Sequence, residues 1–153
     1  MRARDLAVDV PTVNLDTDAF EAARLMAEAQ LPGLVVVDDG GHPYTVLPGS
    51  QVLRFLIPPY IQDDPALARA LDEAACADLF ASLVHHSVRE LLPRRDPEDL
   101  PVVNAAATTL EVAAVMARVH SPIVAVVEHG ALIGAIRVGP LLEQLLPAKP
   151  TGA

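Results

Sequence analysis

Residues 108–137, TTLEVAAVMARVHSPIVAVVEHGALIGAIR, are a second version of a stretch that runs earlier from Asp18 to Pro48. With Met116 laid on Met26, a shift of ninety positions also superimposes Pro11/Pro101, Val13/Val103, Asn14/Asn104, Glu21/Glu111, Ala23/Ala113, Ala27/Ala117, Pro32/Pro122, Val36/Val126, Val37/Val127 and Gly40/Gly130. One extra residue, Gly41, moves the shift to eighty-nine, where Leu53/Leu142, Leu56/Leu145 and Pro58/Pro147 coincide. A unit of this size cannot bury its apolar face alone and packs against its second copy. The repeat therefore predicts one compact body made of two related halves.

Each copy reads the same way. Pro11–Asn14 and Pro101–Asn104 are short extended runs. Asp16, Thr17 and Asp18 in the first copy, and Thr108 or Thr109 in the second, are candidate helix N-caps. Phe20, Ala23, Met26 and Ala27, like Leu110, Ala113, Ala114 and Met116, recur at helical spacing and are expected to face the core. Pro32 and Pro122 end these helices. Leu34–Val37 is a continuous apolar run, rich in β-branched residues, of the kind buried on both faces, and Ile123–Val127 is the corresponding strand. A Gly-containing turn returns the chain as Tyr44–Leu47 or Leu132–Ile136. Closing helices follow from near Gly49 to Pro58 and from Pro140 to Leu146. RARDLA from Arg2 and VRELL from Val88 are short amphipathic turns that lead into the two repeats.

Between the copies, Asp63 or Asp64 with Pro65 is read as the start of one amphipathic helix carrying Leu67, Leu71, Ala74, Ala75, Leu79 and Leu83, packed on the body of the chain. The expected organisation is a first repeat over 1–58, a helical insert over 59–87, a second repeat over 88–147 and a disordered tail over 148–153.

Composition narrows the function. A formal net charge of −9, with one lysine and scattered arginines apart from Arg94 and Arg95, excludes general nucleic-acid binding. No apolar run approaches the ~20 residues of a membrane span, and no signal-peptide pattern follows Arg2 and Arg4. The single Cys76 cannot form an intramolecular bridge, which points to the cytoplasm, and its alanine neighbours make it an expected core residue. His85, His86, His120 and Cys76 lack the spacing of a metal site, so no metal is expected. His42 and His129 fall in the two hairpin turns, and Asp38–Gly40 is a turn rather than a calcium loop. No nucleophile motif is present, and no enzymatic activity is expected.

The order strand, helix, strand, turn, strand, helix, written as TLEVAAVM, then SPIVAVV, then HGALIGAI, resembles a CBS domain, and two copies resemble a stand-alone CBS pair, or Bateman module. The resemblance implies an α/β (α+β) fold. Each repeat would be a small sheet packed with two helices, and the two would form a pseudo-twofold disc with two clefts. It further implies a regulatory ligand such as AMP, ADP, ATP or S-adenosylmethionine, a homodimer, and a separate effector protein, an enzyme or transporter. The family's most ligand-specific element is a Gly, two apolar residues, a Thr or Ser, two variable residues and an Asp. Here the first copy reads TVLPGSQ, with Pro48 at the Thr position and Gln51 at the Asp position; the second reads GAIRVGP, with Arg137 and Pro140 there.

Carried over residue by residue, the candidate ligand contacts are Val13, Pro32, Val46, Pro48, Ser50 and Gln51 in the first half, and Val103, Pro122, Ala135, Arg137 and Gly139 in the second. Arg137 offers a planar fork of donors to a phosphate or carboxylate. The amides near Ser50 and Gly139 open helices and attract anions, and the Gln51 amide oxygen stands in for the missing carboxylate. The reading is a non-catalytic sensor module that binds an adenine nucleotide or other small anion between the repeats. Its rival is a ligandless dimerisation scaffold whose sites have degenerated.

Overall fold

The structure, a computed structural model, describes residues 1–94 and 96–149. Of the tail expected to be disordered, Pro150–Ala153 lie outside the described residues. The elements in chain order are α1 (Ala3–Leu6), β1 (Thr12–Asn14), α2 (Ala19–Glu28), β2 (Gly33–Val37), β3 (Pro43–Pro48), α3 (Gly49–Leu56), α4 (Pro59–Asp63), α5 (Glu73–Ala81), α6 (Val88–Leu91), β4 (Val102–Asn104), α7 (Thr109–Val119), β5 (Ile123–Glu128), β6 (Ala131–Arg137) and α8 (Val138–Leu145). Single 3-10 segments cover Pro65–Ala70, Ser82–His85 and Pro97–Asp99.

Each repeat forms its own three-stranded sheet, ordered β1-β2-β3 and β4-β5-β6. The short first strand runs parallel to the middle one, and the third returns antiparallel through the hairpin. The register shifts at matching places, between Val36 and Val37 and between Val126 and Val127, so the duplication extends to an irregularity of the ladder.

Strand alternation sorts the apolar runs into three layers. Leu34, Val36 and Leu47 face outward to α2, α3 and α6; Val124, Val126 and Ile136 face outward to α1, α7 and α8. The opposite faces meet each other through Val35, Val46, Ile123, Ala125 and Ala135. Gly33 lies at this contact: a Cβ there would sit 3.0 Å from the Leu47 carbonyl oxygen and 3.2 Å from Ile123 Cγ2.

The helix caps follow the sequence. Asp18 accepts the Glu21 N–H at 3.1 Å, and Thr108 accepts that of Glu111 at 3.2 Å. The buried stripes, however, are Ala19, Ala22 and Met26 on α2 and Val112 and Met116 on α7. Of the residues expected to face the core, Met26 and Met116 are buried and Phe20, Ala23 and Ala113 pack half-buried against it, while Ala27, Ala114 and Leu110 point to solvent. On helices this rich in alanine several faces are apolar, so periodicity alone leaves the phase open, and the small residues that allow close approach to the sheet decide it.

The insert also departs from the single helix expected. Asp72 accepts the Ala75 N–H at 2.8 Å and starts α5 afresh, while Leu71 before it is extended. Asp64 and Pro65 begin only a 3-10 segment. Ile61 on α4 is buried, but Leu67, Leu71 and Ala74 are exposed, and from Pro65 onward packing on the body is confined to the far end, where Leu83 is buried and Phe80 and Leu79 are half-buried. Cys76 is exposed, not a core residue, because α5 touches the body through that end alone.

The two short leading helices exchange partners. Val88 and Arg89 of α6 donate to the carbonyls of Thr17 and Leu15, while Ala3 and Arg4 of α1 donate to those of Ala107 and Ala105. Each leads along the chain into its own repeat yet packs on the other one: Val88 and Leu91 complete the first core, and Ala3 the second. Glu90 fixes the start of α6 by accepting the Ser87 N–H at 3.0 Å and contacting His86 Nδ1 at 2.9 Å. These bonds, the Ser87 one foremost, hold its carboxyl below the ordinary glutamate value of 4.5.

Leu91→Ala is expected to destabilise the first core by about 2–5 kcal/mol in urea unfolding, although Leu91 lies outside the first repeat in sequence. A change below about 1 kcal/mol would contradict the exchanged packing. Because the folded pKa of Glu90 is depressed, its contribution is complete above the ordinary value of 4.5 and is lost as pH falls through the lowered value. Between pH 6 and pH 3 the urea midpoint of the wild type should therefore fall further than that of Glu90→Gln. Cys76 is expected to react with a chromogenic disulfide reagent in the folded protein as fast as in urea.

Candidate functional site

The hairpin partners of an antiparallel sheet alternate between pairs that exchange both backbone hydrogen bonds and pairs that exchange none. Ala135, opposite Ala125, is of the second kind: its N–H and C=O turn away from β5 and bond instead to Val8, at 2.9 and 3.0 Å. Val46, opposite Val35, occupies the equivalent place in the first sheet. Its outward N–H and C=O meet no hydrogen-bonding partner among the described residues, although the residue is 5% exposed. A nearly buried donor and acceptor left side by side form a recognition edge.

That edge opens into a cavity of about 310 Å³ between the repeats. One wall is β3, with Tyr44, Thr45, Val46 and Pro48; another is the connection into the second repeat, with Arg94, Asp96, Asp99 and Leu100. Val119, His120 and Ser121, at the end of α7, complete it. His120 adopts the left-handed conformation, with φ of 53°, as C-cap of that helix.

The charges within the cleft are unevenly matched. Arg89 pairs with Asp16 at 3.2 Å, and Asp99 with Arg118 at 3.7 Å. Asp96 accepts the Glu98 N–H at 3.0 Å and so holds the 3-10 segment Pro97–Asp99 in place. Arg94 has no ion pair among the described residues and is the cation available to a ligand anion.

Of the residues singled out from the sequence, Val46 and Pro48 line this cleft. Val13 and Val103 face the helices in the two outer cores, and Ala135 is fully buried against Val8. The carbonyls of Pro32 and Pro122 accept the first amides of α3 and α8, from Gly49 and Val138. Gln51 turns away and donates to the Leu91 carbonyl at 2.9 Å, tying α3 to α6. Ser50 lies in a separate shallow groove beside Arg54 and Gln62, Gly139 is exposed, and Arg137 is half-buried at the start of α8. Arg94, Asp96, Asp99 and His120 were not singled out as ligand contacts from the sequence. The signal that could have found them is the adjacent pair Arg94 and Arg95 in the connection before β4.

Against known proteins, the CBS domain family model matches residues 3–49. A CBS domain-containing protein of unknown function from Kribbella flavida is 51% identical, over 96% of this chain and 99% of that one, with a TM-score of 0.78. The chain belongs to the CBS-domain family. The CBS domain of a CBS domain-containing membrane protein from Sphaerobacter thermophilus is 26% identical, over 95% and 88% of the two chains, with a TM-score of 0.70. CBSX2 in complex with AMP shares the fold at 17% identity, over 94% of each chain, with a TM-score of 0.65. No curated protein matches the chain. Like its CBS-pair neighbours the protein is a tandem of two repeats, and among its described residues no helix is long and apolar enough to cross a membrane.

The two edges of this CBS pair should differ in solution. The Val46 amide is expected to exchange with solvent deuterium about tenfold faster than the Ala135 amide, the difference of one backbone hydrogen bond. Equal protection of the two, read residue by residue by NMR, would contradict the open first cleft.

Proposed function

We propose that this CBS pair is a non-catalytic regulatory module that binds an adenine nucleotide, or a similar small anion, in the cleft beside β3 and passes its state to a separate protein. The observation that carries the reading is the unpaired N–H and C=O of Val46 in the same cavity as Arg94. Adenine offers an amino donor beside a ring-nitrogen acceptor, the complement of such a backbone pair, and a phosphate suits an unpaired guanidinium. The binding of AMP by CBSX2 supports the class of ligand. Contacts from both β3 and the connection into the second repeat mean that a ligand bridges the halves, so its occupancy biases their relative packing. A cytosolic setting fits the single, unbridged Cys76.

A second reading, a homodimeric interaction scaffold without a ligand, is favoured by the helix surfaces. Leu110 is 71% exposed, Leu142 49% and Leu146 67%, on or next to α7 and α8. The two readings separate in one experiment. Thermal unfolding is measured against AMP, ADP, ATP, S-adenosylmethionine and inorganic phosphate. At a hundredfold excess over Kd, a ligand specific to the folded state adds about 2.7 kcal/mol, expected as a rise of about 5–10 °C. Arg94→Ala should abolish the shift and Arg137→Ala should leave it. No shift with any compound rejects the sensor and favours the scaffold.

A further inference from the structure

The β3 and β6 edges of the pair differ because the chain pairs with one of them itself. Along β6, Val8 donates its N–H to the Ala135 carbonyl at 3.0 Å and accepts the Ala135 N–H at 2.9 Å, an antiparallel bridge. Gly134 makes room for this approach: a Cβ there would lie 2.7 Å from the Val8 carbonyl oxygen and 3.2 Å from Ala7 Cβ. At Val46 on β3 no equivalent bridge forms among the described residues. Glu98 stands three residues before Pro101, as Val8 does before Pro11, but its N–H is taken by the Asp96 carboxylate. Connection length explains the contrast. Residues 7–11, five in all, join α1 to β1, whereas ten, residues 92–101, join α6 to β4. The short connection is drawn along the strand edge, and the long one has slack for the 3-10 segment and leaves Val46 unpaired among the described residues.

We propose that residues Ala7–Val10 are an internal occupant of the second cleft. They take the donor and acceptor of Ala135 that a nucleotide base would otherwise take, so that the chain binds one nucleotide where its two repeats provide two edges. This rests on the adenine-nucleotide reading of the first cleft. The occupant is lightly held: Val8 is 51% exposed, and the contact with β6 is a one-residue bridge. Displacing it frees a second edge with Arg137, at the end of the same strand and without an ion pair among the described residues, as the cation beside it.

The test is calorimetric titration with AMP of the wild type, Val8→Pro and Val8→Ala, with amide exchange of Ala135 followed in each. Proline removes the N–H donated to Ala135, and Ala7 already has φ −66° and ψ 132°, the conformation a following proline requires. The wild type and Val8→Ala are expected to bind one AMP per chain. Val8→Pro is expected to bind two, with Ala135 exchange accelerated about tenfold before AMP is added and slowed again by AMP. Two sites in the wild type, one site in Val8→Pro, or unchanged Ala135 exchange in Val8→Pro overturns the proposal while leaving the first cleft standing. No binding to any of the three proteins removes the nucleotide reading and this proposal with it. If Val8→Pro does not fold, Gly134→Ala, whose Cβ meets the same Val8 carbonyl, is titrated in its place with the same expected count.

Discussion

Val35 and Val46 from one sheet and Ile123, Ala125 and Ala135 from the other fill the plane where the two repeats meet, and all are buried. Everything else in the molecule is arranged around this contact. It requires β2 and β5 to be apolar on both faces, since their other sides carry the helices, and it requires small side chains where the sheets come closest. Gly33, with Leu47 and Ile123 against it, shows how little room remains. Close packing of this kind transmits small displacements instead of absorbing them. A ligand bound beside Val46, as proposed, would therefore act on the plane that holds the halves together.

The exchange of α1 and α6 ties the halves a second time. Each short helix is covalently part of one repeat and hydrogen-bonded to the other, so neither core is complete without the opposite repeat. Gln51 reinforces the arrangement by reaching from α3 to the Leu91 carbonyl. At the position where the family pattern has an Asp carboxylate, this chain has an amide that is already bonded within the fold, and Arg94, Asp96 and Asp99 of the cleft come from the connection into the second repeat instead. Arg94 and Asp96 belong to one half by sequence and line the β3 edge of the other.

Much of the fold was legible because it is repeated. The coincidences about Met26 and Met116, the caps Asp18 and Thr108, and the two hairpins are local features, set by spacing, capping chemistry and turn residues within a few positions of each other. The failures share a different cause. Ala27, Leu110 and Ala114 face solvent although their spacing points inward, because alanine makes several helix faces apolar. The insert was misread because the side chain of Asp72 interrupts a period that apolar spacing carries straight through. Cys76 was placed inside by its alanine neighbours, yet burial depends on what lies across from a helix and α5 has little there.

From the order of residues alone follow the duplication, the element types of the two repeats, the two-sided burial of β2, and the family. Which edge is paired follows from three-dimensional contacts. Val46 and Ala135 hold equivalent places in their sheets; Gly134 beside Ala135, where β3 has Thr45, leaves room for a pairing segment but does not say which segment arrives. The distinction comes from Val8, more than a hundred residues from Ala135 along the chain, and from the Asp96 carboxylate that withholds the Glu98 N–H from β3. A backbone hydrogen bond carries no side-chain signature, so its presence at one edge and absence at the other had to wait for the folded chain.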